Sequence, residues 1–582
     1  MIKHLKYFWF YASRHKPAIL LALLLLAGDV CVTTVLPWYM SDIVDRGVLP
    51  GNMDFIRATS LRMALIALAG SVVAFLFSLV TSILSQRISN AMRKDLFQKV
   101  MSLSYGQTDQ WSPGVLLTRI MSDTQIVTQF GAAVLQMLLK PAALCVLGFA
   151  MTMVISGRFA PVFAVGLPLQ IILLVLFMKK LTPLFTRIQL RIESMNSRIQ
   201  ETLANLRLIK SYVHQDYENK KFKEENQDLL GLNLDIQFTL ALMNPLIMLI
   251  INLVLIGIIA VGGSLVRSQA AEIGGVIAAI MYIQQIMMSL MMIGQIYQVA
   301  AKAAVSCQRL SEIQQLEPSL APGKNPLDAP VREMEVRDLS FSYPDAAAGS
   351  PPVLNHLRFQ ISAGSFTAIV GPTGSGKSTL AALLARLFAP SSGEVLVNGE
   401  NILSWTAESV RKRIAIVLQK SAMCSGTIRD NIRYGWSGAS EEDIRTAASV
   451  AQADAFISAL PDGYDTEVAQ EGASLSGGQK QSIALARALL RKPDVLILDD
   501  STSSMDLITE ARFRAMLREA FPNMTLFVIA QRMATVADAD RILVLEEGRL
   551  AAQGTHAQLL ASSPLYREMV QAQSAGEEAA HE

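Results

Sequence analysis

Six long apolar runs constrain this chain more than any other feature. Residues 17–40, 61–84, 131–156, 160–180, 238–265 and 275–299 are each long and apolar enough to form a helix that crosses ~30 Å of hydrocarbon. Inside a bilayer every backbone N–H and C=O must be satisfied within the segment, so runs of this length are read as helices. The chain of 582 residues is 51% hydrophobic and 17% charged, too apolar for an ordinary soluble protein, and a lipid bilayer is its expected environment. Lys3, Lys6, Arg14 and Lys16 precede the first run. That run is too long for the apolar core of a signal peptide, and no small-residue cleavage site follows it. It reads as a first span whose N-terminus is cytoplasmic, because the flanking charge is basic. Six spans then return the chain to the cytoplasm.

The connections are uneven. Short segments join the first and second, third and fourth, and fifth and sixth runs, the third and fourth meeting around Gly157-Arg158. Two long polar stretches, 85–130 and 181–237, carry Arg87, Arg93, Lys94, Lys99 and Arg119 in one and Arg187, Arg191, Arg198, Arg207, Lys210 and Lys220 in the other. Basic connections belong on the cytoplasmic side. The spacing of Ile199, Leu203, Leu206 and Ile209 is helical, so these stretches are expected to extend the spans, with tips near Tyr105–Trp111 and Gln215–Asn219. Within the spans, Asp29 is either a contact for a cationic substrate or a proton, or a structural hydrogen-bond acceptor. Prolines 37, 141, 168 and 245 are expected to kink helices. Met281, Met287, Met288, Met291 and Met292 offer either an adaptable apolar surface for substrate or ordinary core and lipid packing.

A net charge of +2 argues against a nucleic-acid binder held by bulk charge. Cys31, Cys145, Cys307 and Cys424 lie far apart without a CxxC spacing, which reads as free buried thiols in a reducing compartment rather than a disulfide framework or metal site. Composition shifts in the Pro-bearing stretch 311–330, expected as a linker. The divisions are a transmembrane domain over 1–310, a soluble α/β domain over 331–570, and a small-residue, acidic, flexible tail over 571–582.

Gly371-Pro372-Thr373-Gly374-Ser375-Gly376-Lys377-Ser378-Thr379 fits G-x-x-x-x-G-K-[ST], between an apolar strand-like run (366–370) and an Ala/Leu-rich helical run (380–387). That context defines a phosphate-binding loop. Its glycines let backbone N–H groups turn toward a polyphosphate at a helix N-terminus. Lys377 reaches the β- and γ-phosphates, and the Ser378 hydroxyl ligates Mg²⁺. Val495–Asp499 is a buried-strand run ending in a carboxylate, which places Asp499 at the Mg²⁺ opposite Ser378. Leu475-Ser476-Gly477-Gly478-Gln479 precedes a helical run and offers further N–H donors to a phosphate.

With LSGGQ between these two motifs, the chain resembles ATP-binding cassette (ABC) proteins. With six spans fused ahead of the cassette, nearly the whole chain resembles a half-transporter of the ABC exporter type. Gly114–Asp123 and Glu201–Phe222 resemble the family's cytoplasmic-loop motifs. The fold implied is an α-helical membrane domain with six transmembrane helices and long cytoplasmic extensions, followed by an α/β P-loop cassette. The resemblance makes Tyr343 the adenine-stacking aromatic and Gln419 the glutamine that touches Mg²⁺ and couples cassette to membrane domain. It makes Ser503–Asp506, with Ser504 and Asp506, the D-loop. It also implies ATP and Mg²⁺ as ligands and an obligatory dimer in which each ATP lies between one chain's phosphate loop and the other's LSGGQ.

Three departures stand out. Asp500 replaces the usual Glu after Asp499, Gln531 replaces the switch histidine, and Gln470 replaces a Glu in Val468–Gly472. Asp is one methylene shorter than Glu, and Gln cannot shuttle a proton as imidazole does. The chain is therefore similar to the degenerate-site subunit of bacterial heterodimeric multidrug exporters, with a homodimer of slow turnover as the alternative. The expected substrate class is drugs or other amphipathic compounds exported across the inner or plasma membrane. Siderophore import, lipid or peptide export, and an ATP-sensing gate on a channel are the other readings.

Overall fold

The computed structural model describes residues 6–581 except 321, 322, 345, 348 and 504, and leaves aside the side chains of 297, 507 and 574–581. Among the described residues six helical stretches are long and apolar enough to cross a membrane: Lys6–Val48, Met53–Ser102, Pro113–Ile155, Gly157–Ala204, Gln215–Arg267 and Ile273–Gln315. The polar stretches are helical continuations of the spans. Helix Ala160–Ala204 runs well past its apolar portion, and helix Gln215–Arg267 begins well before its own. The second tip falls just ahead of Gln215–Asn219. The break falls at Asn205 and again at Tyr212–His214, where Val213 is left-handed (φ 56°). Gln215–Asn219 is the first turn of the returning helix, whose acidic Asp216 and Glu218 complement the helix dipole. The sixth long helix continues to Gln315, into the stretch expected as linker.

Two compact units emerge. One holds the chain up to Met101 together with Pro113–Leu316; the other holds Ser102–Ser112 together with the chain from Glu317 onward. In the first unit, Leu26, Phe77 and Leu144 join the first three spans in one apolar cluster, and Phe163, Val254 and Ile283 join the last three in another. Gly166 lets the fourth span approach the fifth: a Cβ there would stand 2.4 Å from Val254 Cγ2. Polar side chains close the packing, with Tyr282 Oη donating to Thr34 C=O (2.7 Å) and Gln170 Nε2 to Met287 C=O (2.9 Å). Pro37, Pro168 and Pro245 lie inside continuous helices, and Pro141 follows a π-helical turn at Val134–Leu139. The methionines divide: Met287 is fully buried, while Met281, Met288 and Met292 are exposed.

Asp29 is buried and has a charged partner, Lys140, whose Nζ lies 2.5 Å from Asp29 Oδ2. Each is the sole charge in its apolar run, a sequence signal that pairs the first span with the third. A lone charge at mid-span costs about 3 kcal/mol. Lys140→Met is therefore expected to lower the thermal midpoint of the detergent-solubilised protein, and the double variant Asp29→Asn/Lys140→Met to recover most of the loss. Additive losses in the double variant would refute the pairing.

The second unit is built on a six-stranded sheet in the order β12-β11-β3-β10-β9-β6. Its strands are β3 (Phe366–Val370), β6 (Ile414–Val417), β9 (Val495–Asp499), β10 (Thr525–Ile529), β11 (Arg541–Glu546) and β12 (Arg549–Gly554). All pairings are parallel except β11 with β12. Strands β3, β9 and β10 are buried throughout, which is why they read as unbroken apolar runs. Alternate residues point to opposite faces: Ala368 and Val370 pack toward helix Gly477–Leu489, and Ile369 toward helix Lys377–Leu384. A second, antiparallel sheet lies on that latter face, formed by β1 (Glu333–Phe341), β2 (Leu354–Ser362), β4 (Ser392–Val397) and β5 (Glu400–Asn401) in the order β2-β1-β4-β5. The last helix, Pro564–His581, occupies the segment expected as a flexible tail.

Candidate nucleotide site

Four neighbouring parallel strands deliver the site. β3 leads into the phosphate loop, β10 into Ala530-Gln531-Arg532, β9 into Asp499-Asp500, and β6 into Leu418-Gln419. Ligands bind at such carboxyl ends, because loops and helix N-termini converge there. Residues more than a hundred positions apart in sequence thus meet without any local motif joining them.

The loop is shaped by glycine at two crowded positions. Gly376 has φ +96°, and a Cβ there would stand 2.5 Å from Leu354 Cδ2; a Cβ on Gly371 would stand 2.1 Å from Leu545 C=O. Pro372, Thr373 and Gly374 form the exposed crest, with Ser375 buried beneath. Lys377 Nζ donates to Gly371 and Pro372 C=O (both 2.7 Å), lying across the cradle that a phosphate would fill. Ser378 Oγ donates to Asp499 Oδ1 (2.8 Å). A hydroxyl and a carboxylate so placed are the hard oxygen donors Mg²⁺ takes when phosphates and water complete its shell. Burial lowers the Lys377 ammonium, against the pull of Asp499 and Asp500. Burial raises the Asp499 carboxyl, against Ser378 and Lys377.

Asp500 sits between two amides. Gln531 Nε2 donates to its Oδ2 at 2.8 Å and Gln419 Nε2 donates to the same oxygen at 3.2 Å. Its backbone is left-handed (φ 50°), a conformation Asp tolerates better than most residues. Burial and then Asp499 push its carboxyl upward, opposed by Gln419, Arg532 and Lys377. Two of the three departures from the family pattern, Asp500 and Gln531, are thus hydrogen-bonded to each other.

Tyr343 follows β1, and its hydroxyl is 2.9 Å from Thr379 Oγ1. Leu475–Gln479 opens helix Gly477–Leu489 as a capping box: Gln479 N donates to Ser476 Oγ (3.3 Å) and Ser476 N to Gln479 Oε1 (2.9 Å). Among the described residues no hydrogen bond or ion pair links this motif to Gly371–Thr379. Asp506 caps helix Leu507–Ala520, accepting from Thr509 N at 2.9 Å. Ser504 lies outside the described residues. Gln470 begins a 3-10 turn ending at Gly472.

Sequence reasoning passed over two side chains that fix the segment after β10. Arg532 donates to Met505 C=O (2.9 Å) and Ser503 C=O (3.0 Å). Gln573 accepts from Met533 N (2.7 Å) and donates to Gln531 C=O. The place of Arg532 directly after Gln531 is a signal in the sequence; Gln573, forty positions beyond Met533, has none.

A P-loop cassette of this topology, fused to a six-helix membrane unit, defines an ATP-driven transporter half. Family models for the ABC transporter transmembrane region and for the ABC transporter match residues 19–290 and 354–503. The chain is 33% identical over 559 residues to the uncharacterized ABC transporter ATP-binding protein YfiB of Bacillus subtilis, covering 95% of this chain and 96% of that one. It is 33% identical over 530 residues to a fatty acid ABC transporter ATP-binding/permease protein of Mycobacterium bovis (90% and 83% covered). It is 30% identical over 549 residues to an ATP-dependent lipid A-core flippase of Desulfotalea psychrophila (94% and 95% covered). The solved structure of a bacterial Atm1-family ABC exporter with ATP bound superposes with TM-score 0.80 at 27% identity, covering 96% of this chain and 98% of that one. The chain belongs to the ABC transporter family and is an exporter half-transporter, a fold that acts as a dimer in the membrane.

Proposed function

We propose that this chain is the weakly hydrolysing subunit of a heterodimeric exporter of amphipathic compounds. The observation that carries the reading is the Asp500 carboxylate, one methylene short and engaged by the Gln531 and Gln419 amides. A carboxylate that polarises attacking water must reach that water, and a displacement of ~1 Å can cost about 10²-fold in rate. Gln531 offers a γ-phosphate an N–H but no transferable proton. Tyr343 would stack on adenine, the phosphate loop with Lys377 would hold the phosphates, and Ser378, Asp499 and Gln419 would hold Mg²⁺, which supplies positive charge against the phosphates. This site binds ATP and retains it. LSGGQ (Leu475–Gln479) and the D-loop residues Ser504 and Asp506 act across the dimer, at the partner's ATP. ATP binding clamps the cassettes and opens the membrane bundle outward; hydrolysis at the partner's site resets it. The N-terminus and cassette lie on the cytoplasmic side of a bacterial inner membrane.

The functions for which two relatives are named, fatty acid transport and lipid A-core flipping, support substrates with an apolar portion. The exposed Met281, Met288 and Met292 would suit such molecules. The test is expression of this chain alone and with a half-transporter encoded beside it. Substrate-stimulated ATPase and uptake into inverted vesicles are expected only from the pair. Robust turnover by this chain alone would refute the heterodimer and favour a homodimer.

A further inference from the structure

We propose that Phe388 is a positioning residue for the adenine site, and that the helix Tyr105–Asp109 sets the base affinity of the site through it. The inference rests on the reading of Tyr343 as the base-stacking aromatic. Tyr343 lies just beyond the end of β1, so no strand pairing fixes its ring. Side-chain contacts do: the hydroxyl meets Thr379 Oγ1 at 2.9 Å, and the ring meets Phe388 edge to face, with centroids 5.6 Å apart and planes at 90°. Phe341 packs against both rings, 5.5 Å from Phe388 and 5.1 Å from Tyr343. Tyr343 remains 37% exposed, leaving surface for a base.

Phe388 is held from its other side by a segment remote in sequence. Tyr105 meets it edge to face, centroids 5.8 Å apart and planes at 89°. The backbone of Gly106 comes so close that a Cβ there would stand 2.5 Å from Phe388 Cε1. That segment is itself pinned: Ser104 Oγ lies 2.5 Å from Ser319 Oγ, Gln107 Nε2 donates to Glu317 C=O (2.8 Å), and Ser319 N donates to Gln107 Oε1 (3.1 Å). Three rings in series, Tyr105, Phe388 and Tyr343, thus join the 102–112 segment to the base platform. A shift of that segment turns Phe388 and with it the face of Tyr343. Tyr343 reaches the loop only through the Thr379 side chain, and among the described residues no hydrogen bond or ring contact joins Tyr105 or Phe388 to Gly371–Ser378, so the effect is expected on the base.

The test measures Mg-ATP and Mg-tripolyphosphate binding to the full-length chain in lipid nanodiscs by calorimetry. Tripolyphosphate reads the phosphate cradle without the base. An edge-to-face pair is worth enough that Phe388→Ala is expected to weaken ATP about 3- to 10-fold while leaving tripolyphosphate unchanged. Phe388→Tyr, which keeps the ring, is expected to retain wild-type ATP affinity. Gly106→Ala, which pushes Phe388 from the other side, is expected to change ATP affinity and not tripolyphosphate affinity, and keeps the proposal testable if Phe388→Ala does not fold. Equal losses for both ligands, or unchanged ATP affinity in Phe388→Ala and Gly106→Ala while Tyr343→Ala weakens ATP, would overturn the proposal. Unchanged ATP affinity in Tyr343→Ala would instead overturn the base-stacking reading beneath it.

Discussion

Replacing Asp500 by Glu together with Gln531 by His is expected to raise ATP turnover at this chain's own site by up to about 10²-fold. The double substitution lengthens the carboxylate by one methylene, and it removes the amide that now donates to Asp500 Oδ2 at 2.8 Å. The imidazole restores a group that can take and return a proton near neutral pH. Either change alone is expected to give less. In Asp500→Glu the longer carboxylate would still accept from the Gln531 amide, and in Gln531→His the new imidazole would still face a short carboxylate. The left-handed backbone at position 500 (φ 50°) is less favourable for Glu than for Asp, so the double variant is expected to be about 1 kcal/mol less stable. The measurement is single-turnover hydrolysis in the co-expressed pair, with the partner's catalytic carboxylate removed so that only this site reports. Unchanged turnover would place the block in the partner's signature motif rather than in Asp500 and Gln531.

The second large effect separates what this chain gives its partner from what it does for itself. Gly477→Ala is expected to lower steady-state hydrolysis of the pair by about 10²-fold or more, as loss of an aligned phosphate donor does elsewhere. A Cβ at Gly477 meets nothing within 4 Å in this chain, so its own fold has room for the methyl group. The crowding would fall on whatever faces the motif, which in the proposed dimer would be the partner's nucleotide. Lys377→Ala is expected to abolish tight ATP binding at this chain's loop yet leave most of the pair's turnover. The two variants, compared by ATPase rate and by bound nucleotide per dimer, are expected to give opposite patterns. Equal loss of turnover in both would mean that both sites hydrolyse and that the asymmetry is absent.

The reading of Asp29 shows where sequence reasoning stops. A lone carboxylate in an apolar run announces a partner or a cavity but does not choose between them. Lys140, the sole charge of the third run, was present in the same sequence, and the contact between the two runs supplied the choice. The sequence places the tip of the second long stretch near Gln215–Asn219 without giving its boundary. Polar composition changes gradually along 181–237, whereas the helix ends where Asn205 and the left-handed Val213 interrupt the backbone ladder.

What the sequence by itself determined were the features written in local order. Run length and apolarity specify six spans, because a bilayer forbids unsatisfied backbone. Glycine spacing before Lys377 and Ser378 specifies a phosphate cradle, because backbone curvature there needs residues without Cβ. The strand run ending at Asp499 specifies a carboxylate at the carboxyl end of a buried strand, beside Ser378. Only the tertiary structure decided what long-range packing controls. The parallel order β3-β10-β9-β6 brings Gln531 and Gln419 onto one oxygen of Asp500. Gln573 closes on the backbone beside Gln531 from forty positions away, and Tyr105 and Tyr343 meet across Phe388. Such contacts depend on which chain ends the sheet and the core bring within a few ångströms, and no periodicity or motif in the sequence encodes a distance between residues that far apart.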